Sequence, residues 1–243
     1  APIPADLVAA LGERWPSCLP LSGYGLSETG FATYTRPSDP PERLFTCGRA
    51  APGMEVRALD EQGGVLPPGE VGELGIRGHQ VCAGYFANQE ATRAAITRDG
   101  WFLSGDLGRV DGDGYVSYVG RRKHVIVRGG YKIYAEELEF LLRQCSGVSD
   151  VILVAIPDER LGERTCACLV PAGTAPTLAE LCAYLERRGV AKYTWPEYLV
   201  ALDDLPRNAV GKVDRLAVRG LALRAWEAEQ VQRATTARAM SGG

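Results

Sequence analysis

With 243 residues, 46% of them hydrophobic, the chain is long enough for one large or two modest domains with true cores, which excludes wholesale disorder. A net charge of -3 without a basic stripe excludes a general nucleic-acid binder, and no apolar run is long enough to span a bilayer. Seven cysteines, an odd number with no CxxC pair, signal neither a zinc site nor a disulfide framework, and without a secretory leader the composition reads as soluble and cytoplasmic.

Residues 4–15 predict a helix with Leu7, Val8, Leu11 and Trp15 on one face. A glycine-rich loop follows, Ser22 to Gly30, whose hydroxyls and carboxylate suit a ligand but which alone is as easily a plain turn. It is not a hydrolase elbow: Gly25-Leu26-Ser27-Glu28-Thr29 lacks the second glycine, and only His79 and His124 exist to serve as a base. From Arg36 to His79, proline and glycine punctuate β-like runs at Met54 to Leu59 and Gly72 to Arg77, as in a small barrel or curled sheet. Asn88 is placed to cap a short helix ending near Thr97.

Residues 101–140 join two differently patterned halves and concentrate polar residues at turns. Asp106 follows an apolar run bracketed by Gly100 and Gly105, where a strand end can hold a carboxylate at a cleft rim. A hairpin turning at Asp111-Gly112-Asp113-Gly114 comes next. Gly120-Arg121-Arg122-Lys123-His124 is then a cationic connector to a strand at Val125 to Val127, which ends in Arg128-Gly129-Gly130. Beyond it strands at 151–156, 165–170 and 198–202 alternate with helices at 135–145 and 177–188, the second opened by a Thr177/Glu180 capping box. Cys166 and Cys168, two apart on a strand, read as small core residues, and the polar stretch after Trp226 as a frayed tail.

Four motifs, YGLSETG (24–30), GWFLSGDLG (100–108), GRRKHVIVRGGYKIYAEELE (120–139) and LPRNAVGKVDR (205–215), resemble in order and spacing the adenylate-forming acyl-CoA synthetase superfamily. Its members join ATP and a small carboxylic acid into an acyl-adenylate and pyrophosphate. They then pass the acyl group to the thiol of coenzyme A (CoA) or of a carrier protein's phosphopantetheine. The resemblance implies an α/β (α+β) fold: residues 1–121 the barrel-like end of the large domain, 122–224 the small mobile domain, and 225–243 a tail.

By the same resemblance Tyr24 stacks on adenine within an AMP-binding loop that includes Gly25, Ser27 meets phosphate in place of the usual threonine, and Glu28 holds Mg²⁺. Asp106 accepts both ribose hydroxyls and Arg121 donates to the same ribose. Lys212 reaches the substrate carboxylate and α-phosphate, Lys123 is the hinge, and Gly129 and Gly130 line the pantetheine tunnel. Two departures stand out. Thr194, Trp195 and Glu197 surround Pro196 where relatives carry basic residues, and the family's glycine-rich phosphate loop with its lysine has no counterpart in residues 1–243. That segment is thus expected N-terminal to this chain or on a separate partner chain. The competing readings are a partner-dependent or non-catalytic truncated module, and a peptide-synthetase adenylation domain loading an amino acid.

Overall fold

The computed structural model describes residues 5–241, in two units, 1–123 and 124–243. Pro4, in the expected first helix, and the terminal Gly242-Gly243 lie outside the described residues.

In the first unit α1 (Ala5–Arg14) precedes β1 (Gly23–Leu26), β2 (Gly30–Tyr34) and β3 (Arg49–Ala50), which form one antiparallel sheet. A second sheet is a meander of β4 (Met54–Leu59), β5 (Gly72–Gly78), β6 (Phe102–Val110) and β7 (Val116–Arg121), with α2 (Gln89–Ala95) between β5 and β6. On β4 the buried Met54, Val56 and Ala58 alternate with exposed Glu55 and Arg57, so one face enters a core shared with Leu74, Ile76, Val110 and Val116. The expected barrel or curled sheet takes the second form, because the sheets do not close into a barrel. Among the described residues they meet where Cys47, Gly48 and Arg49 touch Tyr115 and Val116, too short a seam for closure. Asn88 caps α2 as expected, its side chain accepting from Ala91 N. On α1 the expected apolar face stays largely open, with Leu7 and Trp15 exposed.

The second unit starts with β8 (Val125–Arg128) and β9 (Tyr131–Tyr134), a two-residue hairpin, and continues through α3 (Ala135–Leu142), β10 (Val148–Asp158) and β11 (Gly162–Pro171). α4 (Leu178–Arg187), β12 (Tyr198–Ala201) and α5 (Arg215–Ser241) complete it. The sheet runs β10-β11-β8-β9, with β12 parallel to β11. Period-two alternation then builds two cores. Val151 and Leu153 of β10 and Ala167 and Leu169 of β11 pack with Leu138, Leu142, Leu181 and Leu185 of α3 and α4. Ile152, Val154, Ile156, Cys166 and Cys168 face the other way, against Val218 and Ala222 of α5. The two cysteines are therefore core residues, and the sheet is a middle layer between helices. Thr177 and Glu180 form the capping box that their spacing predicts.

The stretch after Trp226, expected as a frayed tail, is helical as far as Ser241, the end of α5. Among its residues with described burial, those buried come early, at Val218 and Ala222.

Candidate functional site

The β1–β2 hairpin converts much of the glycine-rich loop into strand. Gly25 makes that possible, since a Cβ there would lie 1.8 Å from the Gly30 carbonyl oxygen across the hairpin. Ser27 stands exposed in the turn, while Thr29 is buried and its Oγ1 accepts from Leu26 N at 3.1 Å. Glu28 leaves the same turn sideways, and its Oε1 accepts from the Tyr85 hydroxyl at 3.0 Å.

Tyr24, Asp106 and Arg121 form one cluster. Asp106 and Arg121 are cross-strand partners on β6 and β7, and the pairing brings Arg121 Nε to 2.6 Å from Asp106 Oδ1. The Tyr24 hydroxyl donates to Asp106 Oδ2 at 2.8 Å. Burial pushes that hydroxyl up, with the Asp106 carboxylate adding to the effect and Ser104 opposing it, so Tyr24 remains a donor. Asp106 is 2% exposed.

Glu73 and Arg122, which the motifs do not single out, support this cluster. Glu73 is 9% exposed; its Oε1 accepts from Gly105 N at 2.8 Å and its Oε2 pairs with Arg122 Nη1 at 2.9 Å. One carboxylate thus fixes both the irregular strand residue before Asp106 and the residue after Arg121. The available signal was a glutamate within the apolar run Val71 to Ile76, where a charge needs partners.

In the second unit Gly129 and Gly130 make the β8–β9 turn with φ of 55° and 86°, the two positive values of a type I′ hairpin. Their local reason for being glycine is therefore the turn itself. Arg128, just before it, is held by Glu197 through Nε at 2.8 Å and Nη2 at 3.0 Å, and Glu197 also takes Arg164. The acidic departure beside Pro196 is thus spent on neutralising these two guanidiniums. Lys123 is exposed at the end of the first unit, and His124 places Nδ1 2.5 Å from Glu136 Oε1.

Lys212 lies in the second unit, near the tip of an exposed hairpin whose Arg207 pairs with Val213. No acidic side chain neutralises its ammonium among the described residues. Among those residues no group of three or more His, Cys, Asp or Glu could hold a metal ion, so Mg²⁺ at Glu28 would need waters and nucleotide phosphate oxygens for the rest of its shell, as this ion commonly does.

The profile described as AMP-binding enzyme matches residues 1–86, and the profile for the C-terminal domain of the same enzymes matches residues 137–212. The chain belongs to the AMP-binding enzyme family. Within it, this family member is 41% identical over 202 residues to the medium-chain fatty-acid–CoA ligase of Escherichia coli, covering 82% of this chain and 36% of that protein. It is 42% identical over 197 residues to a salicyl-AMP ligase / salicyl-S-ArCP synthetase of Mycobacterium tuberculosis, covering 80% and 35%. The structure of ATP-bound MatB from Rhodopseudomonas palustris superposes with a TM-score of 0.81 at 32% identity, covering 91% of this chain and 44% of that one. The chain therefore spans less than half the length of these relatives. No helix among the described residues is long and apolar enough to cross a membrane.

Proposed function

We propose that the chain carries part of an acid–thiol ligase, which activates a carboxylic acid with ATP as an acyl-adenylate and passes the acyl group to CoA or a carrier-protein thiol. The observation that carries this reading is the Tyr24–Asp106–Arg121 cluster, a phenol, a carboxylate and a guanidinium joined by the β6–β7 pairing. A carboxylate accepts from both hydroxyls of a ribose, a guanidinium donates to the same sugar, and a tyrosine ring offers adenine a face. Because Tyr24 and Arg121 cover Asp106 here, nucleotide binding exchanges the Tyr24 O–H for a ribose O–H. Gly25 and Ser27 complete the nucleotide loop, Ser27 presenting its exposed hydroxyl to phosphate, and Glu28 supplies a carboxylate for Mg²⁺.

Lys212 supplies the point charge that offsets the negative charge developing as the acid attacks the α-phosphate. Lys123 is the pivot between thioester-forming and adenylating states, and the Gly129–Gly130 turn admits pantetheine. Every cysteine is free, which suits a reducing, cytoplasmic setting.

Asp106→Ala tests the reading. It removes two charge-assisted bonds to ribose, each worth roughly 1.5–3 kcal/mol gross. Part of that is already spent on Tyr24 and Arg121 in the free protein, so ATP affinity should fall about tenfold in calorimetry on the complete gene product. Unchanged affinity would make Asp106 a strand-pairing residue alone.

A further inference from the structure

Asn208 makes two of the side-chain bonds within the hairpin that carries Lys212, and Arg207 makes one. Asn208 Oδ1 accepts from Val210 N at 3.1 Å and from Lys212 N at 3.0 Å. Asn208 N donates to the Lys212 carbonyl at 2.8 Å, and the Asn208 carbonyl accepts from Gly211 N at 2.9 Å. Both backbone groups of Lys212 are thus bonded to Asn208. The base of the hairpin is held from elsewhere: Asp214 N donates to the Pro206 carbonyl at 2.8 Å, Leu205 is buried, and Arg215 grips Glu139. At the tip the further anchorage is one bond, from Arg207 Nη1 to the Gly211 carbonyl at 3.1 Å, and Asn208, Ala209, Val210, Gly211 and Lys212 are all exposed. Burial therefore cannot set the direction in which Lys212 leaves the backbone. Local side-chain-to-backbone bonds of the kind asparagine makes in turns can.

We infer that Asn208 is a positioning residue for Lys212: its Oδ1 fixes the hairpin tip, and hence the aim of the ammonium in adenylation, without touching substrate. The inference rests on the adenylating role given to Lys212 above. Asn208's backbone bonds survive most substitutions, so its side-chain contribution is separable. Alanine removes the acceptor, aspartate keeps it with an added charge, and serine offers a shorter neutral one.

In this chain, Asn208→Ala should speed amide hydrogen exchange at Val210 and Lys212 while leaving the thermal midpoint within a degree or so, as expected for a bond at an exposed tip. In the complete gene product, kcat for adenylation should fall about 10²-fold, the usual scale for a misaimed catalytic group, with KM for ATP little changed. Transfer from supplied acyl-adenylate should stay at the wild-type rate, and Asn208→Asp or Asn208→Ser should recover much of the loss. On a Lys212→Ala background, Asn208→Ala should add nothing. Equal losses in both half-reactions, a further loss on the Lys212→Ala background, or wild-type adenylation by Asn208→Ala would overturn the inference. If Lys212→Ala cripples adenylation while Asn208→Ala does not, this inference fails alone. If Lys212→Ala is itself harmless, the role of Lys212 fails and takes this inference with it.

Discussion

Lys212→Ala, made in the complete gene product, is expected to lower acid-dependent adenylate formation by about 10² to 10³-fold while sparing transfer from a supplied acyl-adenylate. The argument is electrostatic. Lys212 is exposed and has no carboxylate partner among the described residues, so its charge is available to an anionic ligand. Its hairpin is fixed at the base, which spares the ammonium the reorganisation that a free lysine would undergo. In the reading proposed above Lys212 serves the adenylating state and Lys123 is the pivot out of it, and so the loss should be confined to the first half-reaction. Single-turnover measurements of each half-reaction decide it; equal losses in both would remove Lys212 from adenylation.

Arg215→Ala is expected to destabilise the second unit by about 3 kcal/mol, the low end of the usual scale for unpairing a buried charge, because Arg143 Nη2 still lies 3.7 Å from Glu139 Oε2. Glu139 is 1% exposed, and its Oε1 accepts from Arg215 Nη1 and from Leu153 N, both at 2.8 Å, while its Oε2 meets Arg215 Nη2 at 2.5 Å. Burial pushes the Glu139 carboxyl up, and Arg215 is the main influence holding it down. Removing Arg215 should raise it further. A carboxyl with a raised folded-state pKa is least unfavourable when protonated, so the penalty should be small near pH 4, the ordinary glutamate range. It should grow as pH rises from there towards neutrality. Denaturation of wild type and variant at matched pH values, followed by hydrogen exchange in β10, tests both size and sign. Adding Glu139→Gln should recover much of the neutral-pH loss, and a penalty that did not vary with pH would place the cost in packing instead of charge.

Much of this was legible because the signals are local. The Thr177/Glu180 box and the Asn88 cap depend on residues three apart, and β4 is marked by alternation from Met54 to Ala58. Elements whose cause is tertiary were less legible. β9 buries Ile133 fully but leaves Tyr131 and Lys132 exposed, so its sequence carries little periodicity; it is a strand because the Gly129–Gly130 turn folds it back on β8. α5 was hidden by a polar sequence with a short buried stretch. The barrel expectation came from turn spacing, which reports that strands reverse and not whether their ends meet.

At the candidate site the motifs pick out residues that can touch a ligand, including Tyr24, Asp106, Arg121 and Lys212. They contain Asn208, Glu139 and Arg215 without singling them out, and they do not reach Glu73. Glu73 and the Glu139–Arg215 pair act through bonds spanning 32 and 76 residues, which nothing in their own neighbourhood announces, whereas Asn208 bonds two and four residues on, as asparagine does in turns. Gly129 and Gly130 show the converse, since the turn accounts for their residue type without any ligand.

The most direct measurement is acid-dependent pyrophosphate exchange into ATP by the complete gene product, with nucleotide products identified over a panel of aryl and fatty acids. The account predicts exchange that requires an acid, AMP and pyrophosphate as products, and loss of exchange in Lys212→Ala. Formation of ADP and phosphate, or exchange that continues with the acid omitted, would contradict it.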